Sequence, residues 1–185
     1  MDFLQSIPPD LPIPIDDGAC AHLEGQSLPE IELPSTADIP VKPSQIPGWL
    51  VIFCYPMTGR PGRALPDGWI DIPGAAGCTP QSCSFRDHND ELRNMGFTVL
   101  GLSTQPSEDQ AEAVGRLHLP YPLVSDAAFK FSDSLKLPIL SIGNLRLIKR
   151  LTLIANDGVI KKCFYPVFPP DKNVKEVIKW FSKNT

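Results

Sequence analysis

The sequence predicts one α/β domain, in which a central mixed β-sheet is flanked by helices on both sides. Apolar runs typical of buried strands alternate along the chain with segments of helical periodicity. Near the C-terminus two strand-like runs flank residues 156–158, whose Asn-Asp-Gly sequence is a strong hairpin signal. The 185 residues suffice for one core, and the formal net charge of −4 argues against a nucleic-acid-binding surface. We therefore expect a single domain over residues 1–185.

The first third of the chain is rich in proline and glycine. Residues 1–47 lack periodicity, so we expect an extended arm laid over the domain, with a short edge strand at 31–33 that is stopped by a proline. The apolar run at 49–55 predicts a strand buried on both faces. A glycine- and proline-rich loop, 57–77, follows it, and loops of this length are usually functional or mobile.

Helices and strands then alternate to the end of the chain. A helix is predicted over 79–95 and a buried strand over 97–102. The next helix, 107–117, has Ser107 at the expected N-cap and Gln110 at the capping-box position. The remaining predicted elements are a short strand at 122–125, a short helix at 127–135, hairpin strands at 151–155 and 159–164, and a C-terminal helix at 173–183.

The five cysteines are Cys20, Cys54, Cys78, Cys83 and Cys163. The chain starts without the basic and apolar segments of a secretory signal, and no apolar run approaches the ~20 residues that span a bilayer. We therefore expect a cytoplasmic protein that contacts no membrane and has no structural disulfide framework. The odd number of cysteines indicates at least one reactive thiol.

Cys78 and Cys83 are the strongest candidates for chemistry. Cys78 ends the glycine-rich loop and begins a helix, where unpaired amides and the helix dipole favour a thiolate. Cys83 lies in the same helix with its Cα roughly 8 to 9 Å away, whereas a disulfide needs less than about 7 Å. A bond between them therefore requires the helix to unwind. From spacing alone, two unrelated helix cysteines are an equally good interpretation, and a zinc site using His88 is a weaker one.

The segment 77–87 resembles the peroxiredoxins, specifically the Q-type or bacterioferritin-comigratory-protein-like branch of the AhpC/TSA redoxin family. The matching positions are Gly77, Cys78, Thr79, Gln81, Cys83, Phe85, Arg86 and Asp87. Further matches lie at 101–103, 122–126 and 150–154, and the resemblance runs from about residue 23 to the C-terminus.

This resemblance implies a thioredoxin-like fold and a thiol-dependent peroxidase. Cys78 takes the peroxidatic role, Cys83 the resolving role, and Arg150 that of the family arginine beside the reactive sulfur, where a guanidinium can hydrogen-bond peroxide oxygens. The alternative for Arg150 is a surface arginine at the start of a strand. A hydroperoxide oxidises Cys78, Cys83 captures the sulfenic acid as an intramolecular disulfide, and a thioredoxin or glutaredoxin reduces it. No metal, haem or flavin is required, and a monomer or weak homodimer is expected.

One position departs from the family pattern. The family has a threonine three residues before the peroxidatic cysteine, and here that residue is Ala75, which has no hydroxyl to donate. Thr58 and Thr79 are the candidates to replace it. Because of this departure, a redox-sensing redoxin with weak peroxidase activity remains an alternative. Two further alternatives share the expected fold: a protein-thiol disulfide oxidoreductase, although those enzymes usually have a Cys-x-x-Cys pair, and a copper or zinc metallochaperone, although few histidines are well placed.

The other three cysteines are not predicted to be catalytic. Cys54 is expected to pack as a small apolar residue in its strand. Cys163 is an alternative resolving cysteine, and Cys20 is similar or pairs with another subunit. The aromatic and proline cluster at 164–170 is expected to cover the active site, to form a dimer contact or to pack on the last helix.

Overall fold

The computed structural model describes residue 7 and residues 10–185, so the start of the predicted arm lies outside the described part. The strands are β1 (Trp49–Cys54), β2 (Phe97–Ser103), β3 (Leu123–Ser125), β4 (Ile139–Ile142), β5 (Leu145–Ile148), β6 (Leu151–Asn156) and β7 (Val159–Phe164). The α-helices are α1 (Cys78–Asp87), α2 (Asn89–Asn94), α3 (Ser107–Leu117), α4 (Lys130–Ser134) and α5 (Asn173–Asn184). The central sheet has the order β3-β2-β1-β6-β7, and β4 pairs with β5 in a separate two-stranded sheet.

The directions of pairing make the central sheet mixed. β1 runs parallel to β2 and antiparallel to β6, while β3 is parallel to β2 and β7 antiparallel to β6. Leu50 and Ile52 of β1 point to one face, and Val51 and Phe53 point to the other. Full burial of such side chains stabilises the fold by about 1.5–3 kcal/mol each. The predicted central mixed sheet with helices on both sides is therefore confirmed.

The two faces of the sheet are covered differently. Residues of α1, α2, α3 and α5 pack on the face that carries Phe53. Phe85 of α1 stacks on Phe53 with ring centroids 4.4 Å apart and an interplanar angle of 9°, which fixes α1 against β1. The opposite face is covered by α4 and by the arm, whose Leu23 and Leu28 are buried there.

The described part of the arm is attached to the sheet by its backbone as well as by its apolar side chains. The amide of Leu28 donates to the carbonyl of Gly158 at 2.7 Å. The edge strand predicted at 31–33 is reduced to one bridge between Leu33 and Val41, because the following proline ends the pairing.

The helix predicted over 79–95 is in fact two helices. α1 begins one residue earlier than predicted, at Cys78, and it ends before His88, whose backbone angles of −109° and 10° are not helical. The His88 ring places Nδ1 2.9 Å from the carbonyl oxygen of Ser84. This side chain therefore contacts the last turn of α1 at the junction between the two helices.

The capping box predicted for α3 is wrong. Ser107 is the first helical residue, and Pro106 occupies the N-cap. Gln110 is fully buried, and its Nε2 donates to Ser103 Oγ at 3.1 Å and to the carbonyl of Val124 at 2.8 Å. These bonds to the sheet take the amide away from the helix start, so tertiary contacts override the local capping pattern.

The hairpin of β4 and β5 was not predicted. Its turn contains Gly143 at φ +53°, followed by Asn144, and Gly-Asn between two apolar runs is a known hairpin signal. The short helix expected over 127–135 forms as the shorter α4. Within residues 10–185, no helix is long and apolar enough to cross a membrane.

Candidate active site

Cys78 lies where the long loop meets the first turn of α1. The preceding residue, Gly77, is the N-cap in a left-handed conformation with φ 101°. A Cβ at this position would collide with the ring of Pro170, so both the backbone angle and the space require glycine. The Cys78 side chain is 3% exposed. The reactive-thiol candidate is therefore held at a helix N-terminus and shielded from bulk water.

Arg150 contacts the sulfur of Cys78 from the sheet. Its Nη2 lies 3.2 Å from Cys78 Sγ and also donates to the carbonyls of Ala75 and Ala76, at 3.1 and 3.0 Å. The arginine is 3% exposed, which rules out a surface arginine. It immediately precedes β6, so the sheet brings a residue distant in sequence to the start of α1.

A chain of three buried polar side chains, of which the first contacts the guanidinium, extends from Arg150, and none of the three was predicted as a site residue. Arg150 Nη1 donates to Gln81 Oε1, and Gln81 Nε2 donates to Asn173 Oδ1 at 3.1 Å. Thr152 Oγ1 donates to the same Asn173 oxygen at 2.7 Å. Gln81 belongs to the matched motif, which was an available signal, but nothing local marks Asn173 or Thr152.

Ala75 presents its carbonyl to the site and its side chain to an apolar cluster. The carbonyl accepts from Cys78 Sγ at 3.5 Å as well as from Arg150. The methyl group packs among Trp69, Leu140 and Leu147. The position where the family has a threonine is therefore filled by an apolar contact in this chain.

Of the two threonines proposed to replace the missing hydroxyl, only one is brought to the site. The hydroxyl of Thr58 donates to Gln105 Oε1 at 3.1 Å, and its backbone amide donates to the same oxygen. Thr79 is buried and lines the pocket beside Cys78.

The pocket beside Cys78 holds about 20 Å³, little more than the space of one water molecule. Its lining comes from the long loop and the start of α1: Met57, Gly59, Leu65, Trp69, Ile70, Ala76, Gly77, Cys78, Thr79 and Pro80. Trp69 lies in a single 3₁₀ turn, Trp69–Asp71, and is buried. The loop therefore places apolar side chains around Cys78 and leaves little free space beside its sulfur.

Cys83 lies one and a half turns further along the intact helix. It is partly buried, which raises the pKa of its thiol, and both Cys78 and Cys83 are free thiols. Two bonds restrain the helix around Cys83: Ser84 Oγ donates to the carbonyl of Asp171 at 2.7 Å, and Tyr121 OH donates to that of Ser82 at 2.6 Å. A disulfide between Cys78 and Cys83 requires the helix between them to unwind, and these two bonds oppose that change.

The remaining candidate residues lie elsewhere. Cys54 is fully buried in β1, where it packs among apolar side chains. Cys20 and Cys163 line a common pocket on the face of the sheet opposite Cys78. Within the described ranges, no group of three or more His, Cys, Asp or Glu side chains is arranged to hold a metal ion.

A thioredoxin-like sheet that presents a helix-terminal cysteine to a buried arginine is the architecture of the redoxins. The redoxin family profile matches residues 23–178, and the chain belongs to this family. Peroxiredoxin Q of Sedum lineare, a chloroplastic protein, is 27% identical over 157 residues, which cover 84% of this chain and 76% of the Sedum protein. The resemblance to Q-type peroxiredoxins that the sequence predicted is confirmed, and these relatives support a thiol-dependent peroxidase activity.

Solved structures confirm the fold. The peroxidoxin BcpB of Mycobacterium tuberculosis superimposes with a TM-score of 0.71 at 23% identity, covering 89% of this chain and 99% of that protein. The bacterioferritin comigratory protein of Xanthomonas campestris has a TM-score of 0.66 at 16% identity, and the superposition covers 94% of this chain and 98% of the Xanthomonas chain. That structure is described for its alkyl peroxide reduction activity.

Proposed function

We propose that the chain reduces hydroperoxides with Cys78 as the peroxidatic cysteine and Cys83 as its resolving partner. The observation that carries the proposal is the 3.2 Å contact between Arg150 Nη2 and Cys78 Sγ in a buried site. A guanidinium so placed stabilises negative charge on the sulfur and can donate to an oxygen that approaches it.

In the first step the Cys78 thiolate attacks one oxygen of the hydroperoxide, and the O–O bond breaks. The sulfur gains a hydroxyl group, becoming a sulfenic acid, and the second oxygen takes a proton and leaves as water or an alcohol. Arg150 stabilises the charge that develops on the oxygens. Thr79 is the hydroxyl that lines the pocket with Cys78, and we assign it the hydrogen bond that Ala75 cannot make.

In the second step Cys83 attacks the sulfenic sulfur, releasing water and forming an intramolecular disulfide. The two cysteines lie five residues apart in one helix, so α1 unwinds locally before this step. The break at His88 separates α1 from α2, which favours a rearrangement confined to the first helix. Burial raises the pKa of the Cys83 thiol. Unwinding exposes this thiol to water, which lowers its pKa and favours the thiolate.

In the third step an external dithiol resets the pair by exchange, and we propose a thioredoxin or glutaredoxin as the reductant. Cytoplasmic location and a monomer or weak homodimer remain our predictions. A protein-thiol oxidoreductase is less favoured, because those enzymes usually have a Cys-x-x-Cys pair, whereas Cys78 and Cys83 are five positions apart.

The test is steady-state consumption of hydrogen peroxide and cumene hydroperoxide, with thioredoxin or glutaredoxin systems supplying electrons. We expect turnover by the natural chain and none by Cys78→Ser. An insulin-disulfide reduction assay run in parallel detects oxidoreductase activity. Insulin reduction without hydroperoxide consumption contradicts the proposal and favours the oxidoreductase alternative.

A further inference from the structure

Two cysteines outside the candidate active site meet on the opposite face of the sheet. Cys20 belongs to the arm and Cys163 to β7, and both are free thiols. They line a common pocket of about 120 Å³, together with Glu24 and Tyr165. Cys20 is 6% exposed and lies in a buried apolar cluster against which Cys163 packs, and the nearby Cys163 thiol and burial raise the pKa of the Cys20 thiol. Two thiols from distant parts of the chain therefore lie at the same pocket.

Hydrogen bonds hold the arm next to β7 close to the two cysteines. The amide of Gly25 donates to the carbonyl of Ile160 at 2.8 Å, and the amide of Cys163 donates to the carboxylate of Glu24 at 3.3 Å. The segment that follows Cys20 is therefore held along β7 by both its main chain and a side chain. The backbone near Cys20 is therefore already placed beside the strand that carries Cys163.

The charged contacts on this part of the arm are exposed. Lys149 pairs with Asp17 at 3.0 Å and Lys162 with Glu24 at 2.7 Å, with all four side chains at least one-third exposed. Such pairs are weak and are screened by salt. A covalent bond at Cys20 would therefore add a tether stronger than the ion pairs around it.

We propose that Cys20 and Cys163 form a second redox pair, a reversible disulfide that ties the arm to β7 and is made by a low-molecular-weight disulfide such as oxidised glutathione. This pair is separate from the peroxidatic chemistry, because the sheet lies between it and Cys78. The proposal stands whether or not the chain is a peroxidase.

The exchange balances in two steps. Cys163 is the more exposed thiol, so its thiolate attacks oxidised glutathione, forming a mixed disulfide and releasing one reduced glutathione. Cys20 then loses its proton and attacks the Cys163 sulfur, which breaks the mixed disulfide and releases the second reduced glutathione. The protein pair loses two electrons and two protons, and one glutathione disulfide becomes two thiols.

The test uses the full chain with Cys78→Ser and Cys83→Ser, which removes both thiols of the candidate active site. After equilibration with excess oxidised glutathione, non-reducing peptide mapping is expected to find one intramolecular disulfide between Cys20 and Cys163. The melting temperature is expected to rise by on the order of 10 °C, because the bond closes a long loop. Adding Cys20→Ser should leave Cys163 as a mixed glutathione disulfide, and adding Cys54→Ala should leave the disulfide between Cys20 and Cys163 in place.

The peptide map of the chain with only Cys78→Ser and Cys83→Ser tests the proposal by itself, so it remains decisive even if a further substitution impairs folding. Cys20 and Cys163 both remaining free, a disulfide that includes Cys54, or a disulfide that joins two chains would each overturn the proposal. Reduction by dithiothreitol should restore the original melting temperature, and a bond that resists reduction would contradict the reversible role.

Discussion

Replacing Arg150 with methionine removes the one guanidinium that contacts Cys78 in the described structure while keeping an unbranched side chain. The lost contact is a charged donor 3.2 Å from the sulfur. Loss of a donor aimed at developing charge in a buried site costs about 2.7–4 kcal/mol of transition-state stabilisation, or about 10²–10³ in rate. We therefore expect the second-order rate constant for oxidation of Cys78 to fall by two to three orders of magnitude. Arg150→Lys should lie between, because an ammonium keeps the charge but not the planar fork.

The same change also costs stability, which the assay has to separate from the chemistry. Arg150 donates to the carbonyls of Ala75 and Ala76 and to Gln81, and methionine leaves these buried acceptors without that donor. The expected loss of unfolding free energy is on the order of 3 kcal/mol. Urea unfolding therefore first establishes conditions in which the variant is folded.

The assay is stopped-flow oxidation of the reduced proteins by hydrogen peroxide, followed by tryptophan fluorescence, with the matched control Arg146→Met. Arg146 is an exposed arginine of β5 whose guanidinium lies over the ring of Phe129, away from Cys78, so its loss should leave the rate unchanged. Oxidation of folded Arg150→Met within threefold of the natural chain would refute the role given to the guanidinium.

Three further predictions concern the loop, the helix start and the core. Trp69→Ala should enlarge the pocket and raise the oxidation rate with cumene hydroperoxide about tenfold relative to the rate with hydrogen peroxide. The same change should cost about 3–5 kcal/mol of unfolding free energy. If the ratio of the two rates does not change, the loop does not control access to Cys78. Gly77→Ala should destabilise by about 1–3 kcal/mol in urea, because of its φ of 101° and the collision with Pro170, whereas Gly115→Ala in open space should be neutral or stabilising; equal effects contradict the argument. Burial raises the pKa of Cys54, so above roughly pH 8.5 the unfolded chain releases a proton that the native state keeps. The contribution of Cys54 to the unfolding free energy is therefore complete below that pH and falls by about 1.4 kcal/mol per pH unit above it. An alkaline series of urea unfolding curves in which Cys54→Ala loses unfolding free energy with pH as steeply as the natural chain contradicts this.

The sequence predicted the central strands well because burial on both faces leaves continuous apolar runs. β1 and β2 were found within one residue of their observed ends, and the hairpin of β6 and β7 followed from its turn residues. The errors arose where tertiary contacts decide. Gln110 was assigned to a local cap but bonds to the sheet instead, and the break at His88 has no proline or glycine to mark it.

The candidate site was predictable where its chemistry is local or where a residue belongs to the family pattern. The position of Cys78 at a helix start follows from the glycine-rich loop before it, and Arg150 followed from family resemblance. Asn173 could not be found in this way, because its contact with Gln81 joins residues that are 92 positions apart. The position of Trp69 in the pocket beside Cys78 was also not predictable, since the length of a loop does not determine where it folds.

Single-turnover oxidation with intact-mass measurement tests the central claim most directly. Reduced natural chain, Cys78→Ser and Cys83→Ser are each mixed with one equivalent of hydrogen peroxide. We predict that the natural chain loses two hydrogens and maps to a disulfide between Cys78 and Cys83, that Cys83→Ser gains one oxygen on Cys78, and that Cys78→Ser is not rapidly oxidised. Rapid oxidation of Cys78→Ser, or an intramolecular disulfide to Cys78 that persists in Cys83→Ser, would contradict the account.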